Sequence, residues 1–170
     1  MTIRPATLVS RGLITGLLGA ATVAAWFFAV DLYTGRPFRT PAALGSALFL
    51  GASAPEHVQV GVGIVAAYTV VHLVAFALAG IAFVALAQQV QRSSSLVLLT
   101  VPAAIVLEAG ALIVLALGAE WVLGALGVTS VLLANLFAVC SMGWYVWRTH
   151  PMLGHGSEAR VVSAVEGPQR

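Results

Sequence analysis

His72 and Glu108 stand alone among apolar neighbours, in the runs VAAYTVVHLVAFALAGIAFVALA and LVLLTVPAAIVLEAGALIVLALG. If those runs cross a bilayer, each group needs a polar partner, because a charge at a helix centre costs about 2.5–3.5 kcal/mol on insertion scales. Asn135 sits in a third apolar run and brings both a donor and an acceptor. Tyr68 and Thr69 precede His72 by four and three residues, which puts both hydroxyls on the imidazole's side of a helix.

Three chemistries suit an imidazole and a carboxyl in such a place. The first is an interhelical hydrogen bond that fixes packing, worth about 0.6 kcal/mol and rarely above about 1.7 kcal/mol in membranes. The second is proton or ion coupling, for which intramembrane His and Glu are suitable groups. A relay also needs polar steps to both sides, and on the stretch before Glu108 only Thr100 supplies one. The third is ligation of haem or a chlorin through His72. A six-coordinate haem wants a second His at similar depth, whereas His57, His150 and His155 lie outside the apolar runs, leaving a five-coordinate pigment.

These groups must be positioned by membrane-crossing helices. Of the 170 residues 60% are hydrophobic and 8% charged, too little charge to coat a water-exposed surface. The expected class is all-α: an integral membrane bundle of four transmembrane helices near Leu13–Leu32, Gly61–Ala87, Leu96–Gly118 and Val122–Trp147, each close to the roughly 20 residues a crossing needs. One domain over residues 1–150 and a polar, flexible cytoplasmic tail over 151–170 follow. Arg4 and Arg11 before an apolar run resemble the start of a signal peptide, but the run continues through Trp26, Phe27 and Phe28 to Val30, so an uncleaved first span is expected.

Every basic residue is an Arg. With the N-terminus inside, Arg4, Arg11, Arg92, Arg148, Arg160 and Arg170 are cytoplasmic and only Arg36 and Arg39 lie outside, which satisfies the positive-inside rule. Both termini are therefore expected in the cytoplasm, most simply of a bacterial inner membrane. Trp144, Tyr145 and Trp147 form an inner aromatic belt, and Trp26 and Trp121 mark the outer one. The Arg residues form no patch for nucleic acid.

The connection after the first span, DLYTGRPFRTPAALGSALFLGASAPEHVQV, predicts a short amphipathic or re-entrant outer helix at about 41–51, with Thr40 as N-cap, Pro41 at N1 and Leu44, Leu48 and Phe49 as its apolar content. A break at Ser53-Ala54-Pro55 precedes the second span, and Asp31, Arg36 and Arg39 are expected as solvated rim charges. Small residues at Gly12, Gly16, Ala20 and Ala24, and at Gly63/Ala67 and Ala75/Ala79, predict close helix approach within the chain.

At 1.5 Å per residue from the inner ends, His72 lies about 24 Å up the second span, Glu108 about 20 Å up the third and Asn135 about 18 Å up the fourth. An intramembrane polar cluster of His72, Glu108, Asn135, Tyr68 and Thr69 is thus geometrically open. Its outer side is the more polar, so water is expected from outside.

Elsewhere the signals are weaker. Glu56 and His57 are adjacent and point to different faces, and His150, His155 and Glu158 lack the ligand density of a zinc site, so no metal is expected. Cys140 is the only cysteine, which excludes an internal disulfide, and a buried small hydrophobe is expected there. Thr15, Thr22, Thr69, Thr100 and Ser141 are expected to bond back to their own helices. No GxSxG, HExxH, Walker or dinucleotide motif occurs.

Four spans enclose little room for alternating access around paired repeats. The expected function is a non-catalytic accessory or structural subunit of a larger membrane assembly, respiratory or photosynthetic, whose partners are the lipid bilayer and other membrane-protein subunits. The alternatives are a small proton-coupled transporter or channel using His72 and Glu108, and haem or chlorin binding through His72.

Overall fold

In the computed structural model, residues 5–92, 121–122, 124 and 126–149 are described. All regular structure among them is helical: α1 (Pro5–Tyr33), α2 (Arg39–Leu50), α3 (Val62–Arg92) and α4 (Val128–Thr149), with a 3-10 turn at Pro55–His57. Three of these, α1, α3 and α4, are long and apolar enough to cross a membrane, which suggests a membrane protein. The third expected span, Leu96–Gly118, and the tail lie outside the described residues.

Glycine sets the distance between α1 and α3. A Cβ on Gly16 would overlap the Phe76 carbonyl oxygen, one on Gly12 would come within 2.6 Å of the Ile81 Cα, and one on Gly80 would overlap Gly12 and Gly16 backbone. Residues four apart on α1 (Gly12, Gly16, Ala20) meet residues four apart on α3 (Gly80, Phe76, His72) in reverse order, so the two helices are antiparallel. The expected stripe on α1 is therefore a contact within the chain as far as Ala20; Ala24 is exposed. On α3 the expected small residues are not the contact. Gly63, Ala75 and Ala79 are exposed, and the packed face is Phe76, Gly80 and Val84, because Gly80, unlike Ala75 and Ala79, lacks the Cβ that would hold the backbones apart.

An adjoining side of α1 holds α4. Gly19 faces the Met142 sulfur, Thr22 Oγ1 lies 3.1 Å from Ser141 Oγ, Trp26 Nε1 donates to Ser130 Oγ at 3.0 Å, and Phe27 packs with Val131 and Ala134. Later positions on α1 meet earlier positions on α4, so α4 is also antiparallel to α1 and runs parallel to α3. The buried face of α4 is Val131, Ala134, Ala138, Met142 and Val146, spaced three or four apart. Cys140 falls on the other side of that helix and is exposed, not buried as its apolar surroundings implied. The expected start of this span also shifts: Trp121, Val122, Gly124 and Leu126 have helical backbone, but Gly127, at φ 76°, interrupts it before Val128. A positive φ is open to glycine without steric penalty, and the Gly127 carbonyl then accepts from Ser130 and Val131.

The outer connection folds as a helix, as its sequence predicts, but starts differently. Residue Phe38 takes φ 64°, strained for a large side chain, and α2 begins at Arg39 without a side-chain cap from Phe38. Thr40 is not the cap. Its backbone N–H donates to Asp31 Oδ2 at 2.8 Å and its hydroxyl to Asp31 Oδ1 at 2.7 Å, so a carboxylate on α1 satisfies the start of α2. Asp31 is only 4% exposed, which overturns the solvated rim charge expected there. The buried face of α2 is small (Thr40, Ala42, Ala43, Gly45, Ser46), while Leu48, Phe49 and Leu50 point outward. Gly45 lies against the Ile64 carbonyl of α3, where a Cβ would come to 2.9 Å. Gly51, at φ 64°, ends α2, and the break expected at Ser53-Ala54-Pro55 is present.

Candidate functional site

His72 occupies the place where the glycine-set contact between α1 and α3 gives way to open space. One turn past Phe76, its Nε2 lies 3.2 Å from the Ala20 carbonyl oxygen on α1. A carbonyl only accepts, so Nε2 carries the proton in this bond and Nδ1 is the remaining acceptor of the neutral ring. The imidazole stacks obliquely between Phe76, ring centroids 4.7 Å apart, and Tyr68, 5.9 Å apart. The first chemistry anticipated for His72, an interhelical hydrogen bond, thus has a concrete partner, though a backbone carbonyl rather than a carboxylate. Ligation of a metal through Nε2 would break that bond.

From His72 towards α2 the helices line a cavity of about 570 Å³. Val23, Phe27 and Asp31 come from α1, Thr40 and Leu44 from α2, Val65, Tyr68, Thr69 and His72 from α3, and Val131 and Asn135 from α4. The volume lies within the roughly 300–1,000 Å³ usual for sites that hold compact organic ligands, and the lining is predominantly apolar with a few polar groups, the usual composition of such sites.

His72, Tyr68, Thr69 and Asn135 line one cavity. Glu108 lies outside the described residues. The Thr69 hydroxyl donates to the Val65 carbonyl at 2.7 Å and is satisfied within its own helix, as are Thr15, Thr22 and Ser141 on theirs; Thr100 is outside the described residues. Sequence reasoning missed Asp31 and Thr40 as cavity residues. The available signal was a lone acidic residue at the end of an apolar helix followed nine positions later by Thr-Pro, which reads equally as a helix cap in place.

A smaller cavity of about 150 Å³ lies on the other side of Asp31, lined by Arg36, Arg39, Thr40 and Trp121 among others. Trp121 closes this end by donating from Nε1 to the Ala52 carbonyl at 3.0 Å. Among the described residues no group of three or more His, Cys, Asp or Glu could hold a metal ion. No family model, curated protein or solved structure matches this chain.

Proposed function

We propose that the chain is a non-catalytic integral membrane protein, a subunit of a larger assembly in a bacterial inner membrane, with four crossings and both termini in the cytoplasm. The observation that carries the reading is how its polar groups are engaged. Asp31 holds α2, His72 holds α1 against α3, and Thr22, Ser130 and Ser141 join α1 to α4. These polar groups therefore fix helices, and many large apolar side chains point outward. Only 11% of the most apolar stretch of α3 is buried, which suits contact with lipid and with other membrane subunits.

A fourth crossing is supported by direction. Because α3 and α4 run the same way, the chain between them returns from the Arg92 end to the end where Trp121 bonds Ala52. A helix over Leu96–Gly118 would reach about 35 Å, enough for a hydrocarbon core of about 30 Å.

Purification of the full chain in mild detergent tests the subunit reading. The expected particle contains other chains in fixed stoichiometry, with a protein mass well above the chain's 17.5 kDa. A monodisperse particle holding this chain alone would overturn it.

A further inference from the structure

The large cavity has more polar capacity than the fold uses. No hydrogen bond joins the Tyr68 hydroxyl or the Asn135 side-chain amide to another residue among the described residues, and neither group is sealed off as the buried Gln88 Nε2 is. Unpaired polar groups at membrane depth are costly, so both sites favour an occupant that can pair with them. The His72 Nδ1 is a third group, an acceptor only, since Nε2 donates to Ala20.

Charge narrows the occupant. Among the described residues of the lining, Asp31 is the one charged side chain, and both of its oxygens already accept from Thr40. An anionic head would meet that carboxylate with no cation among the described residues of the wall, and a cationic head would compete with the hydrogen bonds that start α2. The occupant is uncharged. The remaining wall favours a flat ring over a flexible chain, because the ring-bearing residues Phe27, Phe28, Phe38, Tyr68, His72 and Phe76 are all among those that line it.

We infer that the cavity binds an uncharged quinone-type lipid, its ring held between the aromatic side chains and its carbonyl oxygens accepting from the Tyr68 hydroxyl and the Asn135 amide. This goes beyond the subunit reading and does not rest on it, since binding to the isolated chain needs no partner.

The test uses the full chain in lipid nanodiscs with a decyl-tailed benzoquinone as probe. Discs containing the protein should retain the probe saturably, to about one per chain, above discs of lipid alone. Tyr68→Phe and Asn135→Leu should each weaken retention by roughly tenfold, the loss of one well-placed hydrogen bond. Val65→Trp, which places a large ring in the cavity, should abolish the saturable part. A photoreactive quinone on the unaltered chain should label α3 between Val65 and Phe76, or α4 near Asn135, and this arm does not depend on any variant folding. Retention no better than lipid discs, labelling confined to other surfaces, or equal retention in all three variants would each overturn the proposal. Displacement of the probe by dioctanoylglycerol at equal concentration would overturn the ring preference, because an acyl chain cannot use the aromatic walls in the same way.

Discussion

At the scale of single residues, two ionisable groups end up as fasteners. Asp31 replaces a local helix cap with one supplied from a neighbouring helix, and its two short bonds to Thr40 bind α2 to α1. Hydrogen bonds to a charged group contribute about 1.5–3 kcal/mol each, and removal strands the α2 donors in a buried place. Asp31→Ala should therefore lower unfolding stability by about 2–4 kcal/mol, and Asp31→Asn by less, as measured by chemical denaturation in detergent. His72 makes one neutral bond to a carbonyl already at work in α1. His72→Leu should cost only about 0.6–1.7 kcal/mol in the same assay. A loss larger than that for Asp31→Ala would mean the imidazole has a role in the fold beyond this bond.

At the scale of elements, the α1–α3 contact depends on backbones approaching where side chains would not fit. In a bilayer the lipid tails are as apolar as the helices, so association relies on close packing, which glycine permits. A Cβ on Gly16 or Gly80 meets backbone atoms, which cannot move aside as a flexible side chain can. Gly16→Ala and Gly80→Ala should each destabilise by about 1–3 kcal/mol. Gly63→Ala, in the same helix as Gly80 but with nothing within 4 Å of its added Cβ, should stay within about 0.5 kcal/mol of the parent chain. Thermal unfolding of the three variants in one detergent separates packing from a general effect of replacing helical glycine. Equal losses at all three positions would remove the contact from the explanation.

At the scale of the whole molecule, the parallel course of α3 and α4 gives the topology a sharp test. In a chain carrying Cys140→Ser, an impermeant maleimide applied to intact cells should label Ser53→Cys. It should fail to label Arg92→Cys and Thr149→Cys until the membrane is opened. If only α1, α3 and α4 crossed, Thr149→Cys would be labelled from the same side as Ser53→Cys. Cys140 itself, on the outward face of α4, should react with a lipid-soluble thiol reagent in the unaltered protein and resist a water-soluble one.

Composition and hydropathy determined the class of this protein, because the scarcity of charge and the length of the apolar runs are local properties that no packing can reverse. They also marked the short helix after the first span and the break before α3. Which face of each helix meets its neighbour was decided only in three dimensions. In helices apolar all round, periodicity carries no inside and outside, so Ala75 and Ala79 looked as suitable for contact as Gly80, and Cys140 as buried as Ala138. The same holds for Asp31 and His72, whose partners, Thr40 and the Ala20 carbonyl, are set by how α1 meets α2 and α3. A hydrogen-bond partner on another helix depends on relative rotation and height, and one chain's sequence does not state these quantities.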